Sequence, residues 1–256
     1  MTTNYPTDLT DAQYDAILHI MNDNRKRKYS LRDIWNAILY LHKTGCHWRM
    51  LPRDFPKWQT VYYYLSKWTY DGTIEQLNDE LRERTRLKAG RQSSPSIGLI
   101  DSQSVKTTRI GGSQRGFDGG KNVKGRKRHI VTDTSGLLLS AVSHAANTHD
   151  SKAGLAVIET LKHRFPRLVK ILADGGYRGQ LIDYVKELCG WELEITLRSD
   201  KAIGFEVLRM RWVVERSFAW LENFRRLAKD YEYSIEMSQT MIYVAFTTIM
   251  LHRIKF

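Results

Sequence analysis

The stretch Ile97-Gly98-Leu99-Ile100-Asp101-Ser102-Gln103-Ser104-Val105-Lys106 decides the fold of this chain. Its apolar run of β-forming residues leads to one carboxylate and then turns polar and basic, which predicts a buried strand displaying an acid at the sheet edge. A second apolar run, 169–173, ends on Asp174 and two glycines, and Glu215 lies among apolar residues of a predicted amphipathic helix. Three carboxylates on separate elements of one α/β domain predict a divalent-metal site, because Mg²⁺ prefers oxygen ligands.

Strands and helices alternate on both sides of this stretch. Three consecutive strands, then helix, strand, helix, strand and helix, give the element order of a ribonuclease-H-like fold. The prediction is therefore an α/β domain over residues 97–256, with a mixed five-stranded sheet flanked by helices. Strands are predicted at 97–102, 128–134, 137–143, 169–174 and 192–197. Helices are predicted at 150–164, 178–189, 205–228 and 237–252.

The first 87 residues predict a small all-α domain, and residues 88–96, rich in Gly, Ser and Pro, predict a linker. Ser30 fits an N-cap with Asp33 in the capping-box position, and Gly45 fits the C-terminal stop. Two helices around a short irregular connection fit a helix-turn-helix-like, DNA-binding module with its recognition helix at 57–70. The groove-facing side chains would be Gln59, Tyr63 and Lys67. A helical bundle without groove contacts is the alternative.

The chain is strongly basic, with a net charge of +12 over 256 residues and a pI near 9.7. That balance favours a polyanionic partner, with nucleic acid ahead of an anionic membrane surface. Two cysteines are too few for a disulfide framework or a zinc cluster and favour a reducing cytosol. The N-terminus has no signal-peptide pattern, and the apolar run 241–251 is too short to span a membrane.

Much of the excess charge falls in residues 105–129, a Gly-rich stretch directly after Asp101. It contains a single acid, Asp118, and eight bases: Lys106, Arg109, Arg115, Lys121, Lys124, Arg126, Lys127 and Arg128. We predict a loop that holds a phosphate backbone by charge neutralisation. A solvated loop without a partner is the alternative reading of such a run.

Phosphodiester chemistry with two metal ions requires carboxylates that converge, and Asp101, Asp174 and Glu215 fit that need. Glu222, seven residues after Glu215, would lie on nearly the same helix face and is a rival third ligand. Asp133 fits a turn, and Asp150 fits an N-cap. The histidines 129, 144 and 149 show no zinc-ligand spacing with the cysteines. Further DNA contacts are predicted from side chains that flank the acids: Tyr177, Arg178, Arg211, Arg216, Arg225 and Arg226.

Four motifs give the chain a family resemblance: Leu99–Lys106, Lys121–His129, Ala173–Gly179 and Arg211–Leu221. Together with segments 48–52 and 58–62 they resemble bacterial insertion-sequence transposases of the DDE class. The nearest group is the insertion-sequence-five family of the four/five superfamily.

This resemblance implies that Asp101, Asp174 and Glu215 bind Mg²⁺, with Mn²⁺ as a substitute, for end cleavage and strand transfer. It also implies terminal inverted repeats and target DNA as partners, a homodimer on DNA, and a cytoplasmic, nucleoid-associated protein. A catalytically inactive DNA-binding derivative and a nuclease without strand transfer are the alternatives. Related families carry a Tyr where Leu208 stands and a base where Glu222 stands, so Arg225 or Arg226 would replace that base.

Overall fold

The computed structural model describes residues 5–23, 25–109, 111–112, 114–196 and 210–254, which form four helices followed by a mixed sheet with helices on both faces. The helices are α1 (Asp11–Met21), α2 (Leu31–Thr44), α3 (Trp58–Tyr70), α4 (Thr73–Lys88), α5 (Asp150–Glu159), α6 (Leu181–Cys189), α7 (Arg211–Leu221) and α8 (Ile235–Arg253). The strands are β1 (Ile97–Lys106), β2 (Gly116–Asp118), β3 (Val123–Asp133), β4 (Leu138–Ala145), β5 (Lys170–Ala173) and β6 (Glu192–Ile195).

The sheet is built around β1, which pairs antiparallel with β3 and parallel with β5. β6 extends the parallel side, and both β2 and β4 pair antiparallel with β3. All five predicted strands are present. The predicted limits of β1 and β3 were wrong, because both strands are longer than expected. The predicted strand number was also wrong, because the short β2 was not expected. The described part of the sheet therefore has six strands, and much of the predicted basic loop is strand.

The alternation of side chains along the central strands divides the core in two. Leu99 and Ile130 face a large apolar cluster formed with α7, α8 and the N-terminal helices. Ile100 and Val131 face the opposite cluster, which α5 and α6 complete. Because side chains two residues apart share a face, this division puts Asp101 on the same face as Leu99.

Among the N-terminal helices, α2 begins and ends where its caps predict. The hydroxyl of Ser30 accepts a hydrogen bond from the Asp33 backbone, the Asp33 carboxylate accepts one from the Ser30 backbone, and Gly45 ends α2 with a φ of +68°. Their apolar faces share one cluster with α8, centred on the stacked rings of Trp35 and Trp68, 5.3 Å apart. The boundary at 88–96 stays a prediction.

Several predicted helix limits were wrong. The helix expected at 150–164 ends at Glu159, and His149, rather than Asp150, is its N-cap. The helix expected at 205–228 ends at Leu221 and is followed by a short 3₁₀ turn, Arg225–Leu227. Its first residues, including Leu208, lie outside the described part of the chain. Across the ranges that the structure describes, no helix is both long and apolar enough to cross a membrane.

Candidate active site

The first two predicted acids lie on neighbouring parallel strands. Asp101 is in the middle of β1, and Asp174 follows directly after β5. The pairing sets Leu99 against Leu172, so the same register carried two residues further places Asp101 opposite Asp174. Because side chains two residues apart share a face of the sheet, both carboxylates extend from the side on which α7 packs. The structure therefore brings this predicted pair together.

Glu215 joins the pair from the second turn of α7. The guanidinium Nη2 of Arg211 lies 3.5 Å from Glu215 Oε1 and 3.6 Å from Asp174 Oδ2, so one cation bridges the helix acid and the strand acid. The i, i+4 spacing puts Arg211 and Glu215 on one face of the helix. Glu215 is 55% exposed and open to a substrate. All three predicted acids thus belong to one site.

The surroundings of Asp101 disfavour the charged form of its carboxylate. Burial raises the pKa of Asp101 to about 6, and the neighbouring charge of Asp174 adds to this effect. The Ser102 backbone N–H donates to Asp101 Oδ1 at 2.7 Å and opposes the rise in pKa, as does the more distant charge of Arg211. Carboxylates that repel one another are the environment that a divalent cation relieves.

The donor set fits a hard divalent cation, because all three side chains offer carboxylate oxygen. Among the described residues, no three His, Cys, Asp or Glu side chains are already arranged closely enough to hold a metal ion. The guanidinium of Arg211 lies between Asp174 and Glu215, and the Lys121 ammonium lies beside Asp101.

The rival acids are less suited to the site. Glu222 is the exposed C-cap residue of α7, about 10 Å along the axis from Glu215 at 1.5 Å per residue. Asp133 is a turn residue, as predicted, because its Oδ1 accepts from the backbone N–H groups of Ser135 and Leu137. Its other oxygen forms a buried ion pair with Arg86. Glu215 remains the better third candidate.

A buried polar network behind the acids was missed by sequence reasoning. Asp150 Oδ1 accepts from Lys127 Nζ at 2.9 Å and from Ser102 Oγ at 3.1 Å, and it lies 3.3 Å from His129 Nε2. Burial works to raise the pKa of Asp150, but the contacts with His129 and Lys127 outweigh it and hold the pKa below its usual range. Burial lowers the pKa of His129 to about 4, so this ring is neutral at pH 7.

This network touches the Asp174 turn, because a Cβ on Gly176 would lie 3.0 Å from Asp174 Oδ1 and 3.3 Å from Asp150 Oδ2. A side chain at this position would press on both carboxylates, so glycine leaves room for them on either side. No alternation in the sequence marks this network, because polar residues are continuous through 101–104 and 126–129.

Three of the predicted phosphate contacts are buried in β3, and this part of the prediction was wrong. Arg126 is 0% exposed; its guanidinium donates to the carbonyls of Glu232 and Tyr233 at 2.8 and 2.7 Å and pairs with Asp230 at 3.2 Å. Arg128 donates to the carbonyl of Leu227, and Lys127 forms an ion pair with Asp150 at 2.9 Å. Arg126 and Arg128 hold the segment before α8 against the sheet, whereas Lys127 contacts the start of α5. All three side chains are buried, so none presents its charge to DNA.

Two other predicted DNA contacts are also buried. The Tyr177 ring packs against Gly154, where a Cβ would meet it at 2.8 Å, and lies edge-on to His129. The Arg226 guanidinium donates to Glu232 at 2.7 Å in a pair that is almost fully buried. Both residues have packing roles that leave them out of reach of a phosphate backbone.

The remaining predicted contacts are accessible to varying degrees. The exposed ones are Lys106, Lys121, Lys124, Arg178 and Arg225, together with Gln59 and Tyr63 on α3. Lys121 Nζ donates to the Ser102 carbonyl at 3.2 Å, which places this cation beside Asp101. Arg216 is partly exposed and packs over the rings of Trp212 and Trp220. Lys67 is half-buried and pairs with Asp71 at 3.3 Å.

The comparison with known families agrees with this geometry. The family model described as "Transposase DDE domain" matches residues 92–251, which is more than half of the chain. The chain belongs to the DDE transposase family. A second model, "Putative transposase of IS4/5 family", matches residues 9–78 of this DDE transposase. The predicted ribonuclease-H-like fold and the predicted family are thereby confirmed.

A curated relative points the same way. The DDE transposase is 35% identical over 115 residues to a Burkholderia cepacia protein named "Putative transposase for insertion sequence element IS402". The match covers 42% of this chain and 54% of the relative, so the chain spans about half the length of the curated relative that it matches.

Proposed function

We propose that this DDE transposase binds the terminal inverted repeats of an insertion sequence and catalyses DNA end cleavage and strand transfer. The observation that supports the proposal is the placement of Asp101 opposite Asp174, with Glu215 tied to Asp174 through Arg211.

Asp101, Asp174 and Glu215 would hold Mg²⁺, for which Mn²⁺ is a substitute. When bound, a pair of such ions activates the attacking water or 3′-hydroxyl and stabilises the leaving oxygen. The protein orients the ligands: the Ser102 N–H fixes Asp101, and the Gly176 N–H donates to Asp174 Oδ1 at 2.8 Å.

The DNA phosphates beside the reacting bond would contact the exposed lysine and arginine side chains nearest the acids. Lys121 lies next to Asp101, and Arg178 follows the Asp174 turn with its side chain in solvent. Guanidinium and ammonium groups at such positions neutralise backbone charge and fix the register of the strand. Arg211, once turned away from Glu215, is placed to do the same.

The helical region would supply recognition of the repeats. α3 presents Gln59 and Tyr63 to solvent beside Lys67, and amide and phenol groups on an exposed helix suit contacts in the major groove. Joining requires two DNA ends to meet, so we propose a homodimer on DNA, acting on the nucleoid in the cytoplasm.

The test uses DNA from the flanks of the gene, where the element's ends lie, in cleavage and strand-transfer assays. Asp101→Asn, Asp174→Asn and Glu215→Gln should lose both activities while binding the DNA ends with near wild-type affinity. Glu222→Gln is the matched control, because it removes the same charge from the same helix about 10 Å away; it should remain active.

Three results would count against parts of the proposal. Cleavage without joining by the wild type would identify a nuclease. Binding without cleavage would identify an inactive DNA-binding derivative. Loss of activity in Glu222→Gln with retention in Glu215→Gln would move the third ligand to Glu222.

A further inference from the structure

A second basic site lies at the far end of β1, away from the acids. The ends of β1, β2 and β3 enclose a groove of about 630 Å³. Its lining includes four bases and two other side chains suited to nucleic acid: Lys106, Arg109, Arg115, Lys124, Phe117 and Asn122. No lining residue that the structure describes is acidic. The neighbouring Asp118 is turned away and accepts from Ser104 Oγ at 2.5 Å.

The four bases of this groove differ from the buried bases of β3. All four are exposed, and none of them forms an ion pair within the described ranges. The guanidinium of Arg115 donates to the carbonyl of Arg109 at 3.2 Å, which ties the two ends of the loop together. Four exposed cations around one cavity repel one another, and a polyanion relieves that repulsion.

Phe117 indicates what kind of polyanion the groove suits. This ring is 54% exposed on the edge strand β2, directly opposite Lys124 in the β2–β3 register. An exposed aromatic ring among cations is the arrangement on which unstacked bases pack in single-strand binding sites. A regular duplex hides the faces of its bases in the stack and offers no surface to such a ring.

We propose that this groove binds a single-stranded or locally unpaired segment of DNA, with the four bases on the phosphates and Phe117 stacked on a base. The inference rests on the proposed function and deepens it, since it names the form of the DNA beside the site. Lys106 lies five residues after Asp101, about 16 Å along the strand at 3.3 Å per residue.

The first experiment measures the affinity of the full-length protein for a fluorescent single-stranded oligonucleotide and for a duplex of the same sequence. Phe117→Ala should weaken single-strand binding by roughly five- to a hundredfold, the loss of about 1–3 kcal/mol expected for one stacked base, and leave duplex binding nearly unchanged. Phe117→Trp should retain the affinity. Val169→Ala, an exposed apolar residue before β5, is the control that should change neither affinity.

The second experiment measures the salt dependence of single-strand binding. Arg109→Gln, Arg115→Gln and Lys124→Gln should each reduce the slope of log K against log salt by about 0.7, the value for one phosphate contact on a single strand. Lys186→Gln, an exposed base on α6 at the other side of the sheet, should leave the slope unchanged.

The failures are distinguishable. If the wild type binds DNA and Phe117→Ala binds the single strand equally well, the groove inference is overturned while the proposed function stands. Equal losses for single strand and duplex would likewise overturn it, because they would indicate general contact without stacking. A wild-type protein that binds neither form would remove the groove and the proposed function together.

Discussion

The guanidinium of Arg211 lies 3.6 Å from the carboxylate of Asp174, on the helix that also carries Glu215. Arg211 thus places a positive charge between two of the three acids that are proposed to bind metal. This arrangement compensates the charge repulsion of the acids when no metal is bound. It also means that a divalent cation has to compete with an internal positive charge.

We therefore expect Arg211→Ala to bind divalent cations more tightly than the wild type, by about five- to tenfold, because the competing charge is gone. Titration of DNA-free protein with Mn²⁺, followed by electron paramagnetic resonance, measures this affinity directly. Arg211→Lys should behave like the wild type, and Arg225→Ala, an exposed base beyond α7, should have no effect. A weaker affinity in Arg211→Ala would show instead that the arginine organises the ligands.

Asp101→Asn should stabilise the metal-free protein at pH 8. The pKa of Asp101 is raised from 3.8 to about 6, so the folded state holds its proton more tightly than the unfolded chain does. The stability of the wild type accordingly falls as the pH rises from about 4 to 6, and ionisation of Asp101 costs on the order of 2 kcal/mol above that window. The advantage of the amide should be full at pH 8 and disappear near pH 4. Thermal unfolding in a chelator measures it, and a gain that does not vary with pH would contradict this explanation.

The bases of β3 should separate into structural and DNA-contacting residues. Arg126→Met leaves Asp230 buried without its guanidinium and should lower the free energy of unfolding by about 3–5 kcal/mol. Lys124→Met, two residues earlier and exposed, should leave stability nearly unchanged and weaken DNA binding. Denaturant unfolding and a binding titration on both variants make the comparison. A stable Arg126→Met protein with weakened DNA binding would restore the original prediction for this residue.

His42 should make the fold sensitive to acid. Burial lowers the pKa of this ring to about 3, the Met241 backbone acts against that shift, and the charges of Arg226, Arg128 and Lys43 add to it. Only the unfolded chain takes up the proton between pH 6.5 and 3, so stability that is full above pH 6.5 is lost through that window, on the order of 5 kcal/mol.

His42→Leu should therefore show a shallower loss of unfolding free energy between pH 6.5 and 3 than the wild type. The exposed His252→Leu, on α8, is the matched control and should keep the wild-type slope. Identical slopes in the wild type and His42→Leu would mean that other groups dominate the acid transition.

Local chemistry in the sequence was enough to predict much of this protein. The Ser30 capping box and the Gly45 stop depend on neighbours three or four residues apart, so the limits of α2 can be read directly. The apolar runs that end at Asp101 and Asp174 depend on strand periodicity, and Glu215 depends on helix periodicity. These acids were predicted because the position of each is determined by its own element.

Only the tertiary structure decided which buried polar groups pair with one another. Arg126 was predicted to be a surface base, but it is buried against Asp230, more than a hundred residues away in the sequence. Asp150 reads as a helix cap, yet it accepts from Lys127 and Ser102 on two strands. Tyr177 was predicted to contact DNA, but its ring packs against Gly154 on α5. The sequence by itself determined the elements and the acids that they carry, because backbone and side-chain preferences act over a few residues. The partner of a buried charge was decided only when distant strands and helices met, because pairing energy depends on distance and burial in space.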